Sequence, residues 1–276
     1  MAKITPRTWI FIIVGLMAVA VAVLSFRAAA SGTVTVSGNT AVGENQPGWL
    51  FNRDLATAAP YAFTFDAHSI GLGALKVGPI TNTNFGSVTG NDPNRDKFVA
   101  EFFPGKVLTS DLKSISYDYM LDSSRTVEDA RFVTMSVYIN VDDSNNDFDC
   151  RYDYVAQNGS NAAFIKPNIF MSTPPNTVTK NGNRIAECAP TPDSMKDGSY
   201  VRVIKFSVGD DTADDTGVIA YFDNIEIVMT NDITVYNFEA SPRSMQDCDG
   251  KKWMQYNFKN QGQCQQFVTK GKDTRK

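Results

Sequence analysis

The residues of this 276-residue chain best suited to chemistry are hard oxygen ligands. Asp143, Asn145, Asp147 and Asp149 recur at every second position of "NVDDSNNDFDCRYDY", as the ligands of a calcium loop do. The match is incomplete, because Phe148 stands where an EF-type loop turns on glycine and Tyr154 where it supplies a bidentate glutamate. The same spacing suits a hydrophilic hairpin turn between Val141 and Phe148, in which Asp and Asn bond their own backbone. A further carboxylate, Asp223, lies within "GVIAYFDNIEIVMT", where Ile219, Tyr221, Ile225 and Ile227 alternate along the face it shares. A carboxylate turned into a core loses hydration and must gain a partner or protonate. A cation, an arginine or backbone N–H groups at a strand end would serve, and backbone or metal is the expectation. A register flip would instead expose Asp223 beside Asn224 and Glu226.

Other chemistries find little material. His68 is the single histidine, and there is no Gly-x-Ser-x-Gly elbow and no Cys-x-x-Cys pair, so Ser–His, thiol and zinc machinery lack their parts. Gly71 and Gly73 lead into a strand, whereas phosphate-binding glycines lead into a helix. Glycosidic cleavage needs two positioned carboxylates, and Glu44, Glu101, Glu128, Glu187, Glu226 and Glu239 are never paired around an Asp on one strand. The acidic stretch from Gly209 to Gly217 reads as a solvated turn. No catalytic residue is assigned, and a binding role is what remains. Trp49, Tyr61 and Trp253 lie near loops and offer flat faces for sugar rings. The alternative is that Trp49 and Tyr61 fill the core and Trp253 covers a disulfide.

Charge limits the partners. Residues 31–240 carry a net charge of about −12 and residues 241–276 about +5. An acidic body argues against nucleic acid, whose phosphates need clustered Lys and Arg. The basic end could meet an anionic wall polymer or lipid headgroup, or be simply solvated.

The chain begins with a positive segment, 16 uncharged and mostly apolar residues from Trp9 to Leu24, and Ala28 to Ala30 before Ser31. That order predicts a secretory signal peptide with a small-residue cleavage site, or an uncleaved N-terminal anchor. Membrane contact is expected only through that segment, and an extracellular or cell-surface address follows. In an exported chain the four cysteines favour disulfides. Three pairings are open, and Cys150–Cys188 with Cys248–Cys264 is the one in which each bond closes within its own region.

The elements that must position these residues are strands. "GTVTVSG", "GLGALKVGPI", "KFVAEFF", "SISYDYML", "FVTMSVYINV", "FDCRYDYV", "YVRVIKFSV", "GVIAYFDNIEIVM" and "ITVYNFEA" all alternate or run apolar between polar turns. This predicts an all-β, jelly-roll-like antiparallel β-sandwich over 31–239. Residues 156–199, rich in Pro, Asn, Thr and Gly, predict long irregular loops. Residues 1–30 form the export helix, and 240–276 a small disulfide-closed basic appendage.

The region from Trp49 to Glu239, through "SIGLGALKV" and "GVIAYFDNIEI", resembles the jelly-roll domains of exported bacterial proteins, many of them carbohydrate-binding modules. The resemblance implies that the "Asp-Asn-Ile-x-Ile" strand belongs to the sandwich core, and that a structural calcium sits near its carboxylate in some members. The C-terminal segment resembles one found on many uncharacterised secreted bacterial proteins, through Cys248, Trp253, Phe258, Lys259, Asn260, Gln261, Gly262 and Cys264. Lys251 and Lys252 stand where that pattern has a glycine pair. The resemblance implies secretion and no particular activity.

Together these readings describe an exported, non-catalytic β-sandwich protein that binds glycan or another surface polymer. The alternatives are a structural surface protein held by its N-terminal anchor and, third, a sandwich-fold polysaccharide hydrolase or lyase.

Overall fold

The computed structural model describes residues 30–38, 47–52, 60–67, 69, 73–80, 98–122, 133–142, 148–156, 163–181, 188–209, 217–242, 244–256 and 258–270. The expected export segment, His68 and most of the 209–217 turn lie outside them. Among the described residues no helix is long and apolar enough to cross a membrane.

In chain order the strands are β1 (Ala30–Val36), β2 (Gly48–Phe51), β3 (Tyr61–Thr64), β4 (Ala74–Val77), β5 (Phe98–Phe103), β6 (Val107–Leu108) and β7 (Leu112–Leu121). They continue as β8 (Val133–Asn140), β9 (Cys150–Val155), β10 (Asn168–Phe170), β11 (Thr177–Lys180), β12 (Tyr200–Val208), β13 (Ala220–Met229) and β14 (Asp232–Phe238). One sheet runs β1-β14-β13-β4-β3, with β7 on the other side of β13 and β10 beyond β7. The second runs β11-β9-β8-β12-β5-β2, with β6 beside β12. The protein is an all-β sandwich. Among the described residues its strand pairs are antiparallel except the edge pair β1–β14, which is parallel.

Period-two burial builds the core. Ile115, Tyr117, Tyr119 and Leu121 of β7 turn inward, as do Val133, Met135, Val137 and Ile139 of β8, all of them out of solvent. Each large apolar side chain so buried contributes about 1.5–3 kcal/mol. The cysteines pair as Cys150–Cys188 and Cys248–Cys264.

Two expectations need correction. Residues 156–199 are not all irregular: β10 pairs with β7 and β11 with β9. Their prolines, Pro167, Pro174 and Pro175, flank these edge strands instead of interrupting them, where a missing N–H costs no ladder bond. The alternating face of β13 is also broken. Phe222 lies opposite inward Tyr119, and Tyr221 opposite Met120. Between Asp223 and Glu226 the register shifts and Asn224 takes a left-handed φ of 46°, a conformation that Asn tolerates. This bulge reverses the parity of the strand, so Ile225 and Ile227 join the core on the same side as Phe222.

The C-terminal segment has its own small core of Cys248, Phe258 and Cys264, with Trp253, Tyr256 and Phe267 packed on it. Its helix α1 (Gln261–Lys270) starts at Asn260, whose Oδ1 accepts the Gln263 N–H at 2.9 Å, as an N-cap does. Tyr256 touches the body through Phe65, ring centroids 5.4 Å apart.

Candidate functional site

Asp223 is 0% exposed, and four donors among the described residues hold its carboxylate. Oδ2 accepts the Ser69 N–H at 2.9 Å and the Ser69 hydroxyl at 3.0 Å. Oδ1 accepts the Asn224 N–H at 2.8 Å and the Phe238 N–H at 3.3 Å. The position explains the need. The first half of β13 pairs with β4 through Phe222, and the second half with β14 from Ile225 onward. Asp223 sits at the change of neighbour, where ladder donors would otherwise be left over. It is a structural carboxylate satisfied chiefly by backbone. Close packing confirms the junction, since a Cβ on Gly73 would lie 2.8 Å from both the Ala240 nitrogen and the Thr64 carbonyl.

Of the proposed calcium ligands, Asp149 alone lies among the described residues. Asp143, Asn145 and Asp147 lie outside the described residues. Asp149, also 0% exposed, turns its Oδ2 to the Val141 N–H at 2.8 Å and so fastens the neck of the β8–β9 hairpin. Among the described residues, no group of three or more His, Cys, Asp or Glu could hold a metal ion.

Of the three aromatic residues, Trp49 is turned into the core, while Tyr61 and Trp253 are half-buried. Trp49 is 1% exposed, with Phe102 and Phe238 each 5.2 Å from its ring. Trp49 is an inward position of β2, the core placement that stood as the alternative to a platform. Tyr61 is half-buried and stacks on Phe51 at 5.5 Å. Trp253 is half-buried against the core around the Cys248–Cys264 bond. Packing takes the whole of Trp49 and one side of Tyr61 and Trp253.

The outer face of the second sheet carries a cross-strand row of Leu50, Glu101, Lys205, Ser136, Asp153 and Thr177. Its polar members serve one another. The Ser136 hydroxyl donates to Asp153 Oδ1 at 2.7 Å, and Arg151 Nε and Nη2 reach Asp153 Oδ2 at 3.0 and 2.9 Å. Lys205 Nζ lies 5.6 Å from the Tyr138 ring centroid.

A cleft that sequence reasoning missed lies at the opposite edges of the two sheets, where β7 of one faces β9 of the other. The strap of residues 165–176 crosses between those edges. Ile165 and Tyr119 exchange backbone hydrogen bonds, Tyr119 N–H donating at 3.0 Å and Ile165 N–H at 2.9 Å, and the Met171 N–H donates to the Lys113 carbonyl at 2.9 Å. At the far end the Asn176 N–H donates to the Asp153 carbonyl at 2.8 Å, and Asn176 Oδ1 accepts the Val155 N–H at 2.9 Å. The Tyr154 hydroxyl donates to the Thr173 carbonyl at 3.1 Å.

Beneath the strap is a cavity of about 560 Å³, lined by Tyr117, Tyr119 and Tyr154 from the strands and by Ile165, Pro167 and Pro174 from the strap, among others. That volume falls within the ~300–1,000 Å³ of small-molecule sites. Burial pushes the Tyr119 phenol up to about 12 and raises those of Tyr117 and Tyr154 further, so all three are un-ionised at neutral pH. Tyr117 is 0% exposed, and among the described residues its hydroxyl has no hydrogen-bond partner. The signal available in the sequence was the run of prolines beside an aromatic pair, but the pairing of strap to strands was not legible there.

No family model matches the chain, and no curated protein matches it by sequence. Among solved structures it is similar to the family 11 carbohydrate-binding module from Clostridium thermocellum in complex with a β-1,3-1,4-mixed-linked tetrasaccharide. The identity is 11%, covering 67% of this chain and 89% of that one, with a TM-score of 0.38. A xylan-binding domain from Paenibacillus barcinonensis is similar at 11% identity over 74% of this chain and 99% of that one, with a TM-score of 0.36. The enzymatically active domain of tailspike protein 4 from bacteriophage CBA120 is similar at 11% identity over 66% of this chain, with a TM-score of 0.39. The match spans 19% of that tailspike domain.

Proposed function

We propose that the protein is an exported, non-catalytic module that binds glycan or a related surface polymer through the cleft between β7 and β9. The observation that carries this is the cleft itself, about 560 Å³ beneath the strap, lined on the strap side by Ile165, Pro167, Pro174 and Asn176. Such walls suit the apolar faces of a sugar ring, and a few placed polar groups fix its orientation. The test is affinity electrophoresis of the purified protein through gels cast with a panel of soluble polysaccharides. Retardation in at least one gel, saturable by its oligosaccharide, is expected. Migration identical to a non-binding control in every gel would remove the reading.

A structural surface protein is the second reading, supported by one feature. The edge strand β1 begins at Ala30, which in sequence follows Leu24, the end of the apolar run, by six residues. Cell fractionation with mass measurement of the N-terminus separates the two, since retention as an anchor leaves the Met1 region intact in the membrane fraction.

A further inference from the structure

We infer that the cleft selects a glycan that is uncharged where it enters, because Lys166, the charged member of its lining, carries its ammonium outside it; this rests on the glycan-binding reading above.

The placement of that ammonium follows from β13. Ile225 and Ile227 point into the core, so Glu226 between them faces outward, opposite Ser116, the residue before inward Tyr117. Lys166, on the strap, is the single charged residue among the described residues that line the cavity, and its Nζ lies 3.6 Å from Glu226 Oε2. The ammonium therefore sits over the outer face of the first sheet, beside a carboxylate. The cavity lies on the inner side, lined by Tyr119 and by Ile169, whose cross-strand partner Ile115 is core.

The rest of the lining is neutral. No Asp, Glu, Arg or His stands among the described residues around the cavity. Residues 157–162, which follow Ala156 in sequence, read Gln-Asn-Gly-Ser-Asn-Ala, again without a charge. A carboxylate or ammonium entering the cleft would shed hydration with no counter-charge to meet it. A sugar hydroxyl loses less, and the exposed polar side chains of Thr173 and Asn176 can pair with it as neutral groups. The acidic body also repels anions at long range, but salt screens that repulsion. It does not restore hydration lost inside a cleft.

The test is isothermal titration of the intact protein with oligosaccharides of whichever polysaccharide retards it, carrying either hydroxyethyl or carboxymethyl groups at the same degree of substitution. The two forms match in bulk and differ in charge. The expected result is that the carboxymethyl form binds about tenfold more weakly, and that the gap persists in about 0.5 M salt. Thr173→Lys, which puts a cation at the exposed rim, should narrow the gap about threefold at low salt. Equal affinity for the two forms, or tighter binding of the carboxymethyl form, would overturn the inference while leaving glycan binding in place. A gap that closes with salt would assign the discrimination to the charge of the whole body and overturn it equally. So would a gap that a folded Thr173→Lys protein leaves as in wild type. If no polysaccharide in the panel binds, the functional reading fails and takes this inference with it.

Discussion

Ser69 gives both its backbone N–H and its hydroxyl to one oxygen of Asp223, at 2.9 and 3.0 Å, across 154 positions of sequence. The loop ahead of β4 is thereby fastened to the point where β13 leaves β4 for β14. A side chain does there what a continuous strand would do elsewhere.

Asp223→Ala removes the acceptor for the Ser69 and Phe238 N–H groups inside the sandwich. Leaving buried donors unmade, with loss of bonds to a charged group, costs about 3 kcal/mol. Ser69→Ala, which keeps the N–H, costs about 1 kcal/mol. Urea midpoints of the two single variants and the double variant give the coupling, and the double variant should cost less than the two together. An Asp223→Ala midpoint equal to wild type would remove Asp223 from the fold's supports.

Stability at high pH follows from the buried phenols. Burial pushes Tyr119 and Tyr152 up to about 12, and burial with the Asp232 charge does the same for Tyr236. Their folded values stand above the unfolded value near 10. The stability they contribute is therefore complete below about pH 10 and is lost as pH rises from there toward 12. Absorbance at 295 nm and far-ultraviolet circular dichroism, followed together from pH 8 to 13, should show cooperative loss of structure coincident with tyrosine ionisation above pH 10. These tyrosines titrating near pH 10 with the sheet signal intact would contradict their burial.

Most of the fold was legible because burial on one face of a strand leaves a period-two trace. β7 and β8 read directly from Ile115 to Leu121 and from Val133 to Ile139. β10 and β11 left no such trace, being short edge strands whose residues are half-buried or exposed, with Phe170 at 54%. The bulge at Asn224 was hidden for another reason. One residue in a left-handed conformation reverses the parity of everything after it, so Asp223, Ile225 and Ile227 looked like one face when Asp223 stands apart. Trp49 was open between platform and core, since nearness to a loop does not say which way β2 turns the indole, and it is core. The cleft depends on which strand the 165–176 strap pairs with at each end, and pairing between distant segments is not written in local spacing.

The C-terminal unit is held by little besides its bond. Its core has three buried residues, two of them Cys248 and Cys264, and a crosslink closing a 16-residue separation is worth about 3 kcal/mol. Replacing both cysteines with serine should open this unit while the sandwich stays folded. Limited proteolysis should then cut within 241–276 and spare the body. Protection of that segment equal to wild type would show that contact with the body, beginning at Phe65 and Tyr256, suffices to hold it.

Thr173 stands at the exposed rim of the cleft and serves the fold through its carbonyl, which any residue keeps. Thr173→Trp therefore places bulk at the mouth while leaving the Tyr154 bond available. Affinity electrophoresis of this variant beside wild type, in the gel that retards wild type most, is the most direct test of where binding occurs. The cleft as binding site predicts retardation reduced at least tenfold at an unchanged melting temperature. Retardation equal to wild type in a folded Thr173→Trp protein would place the binding surface elsewhere.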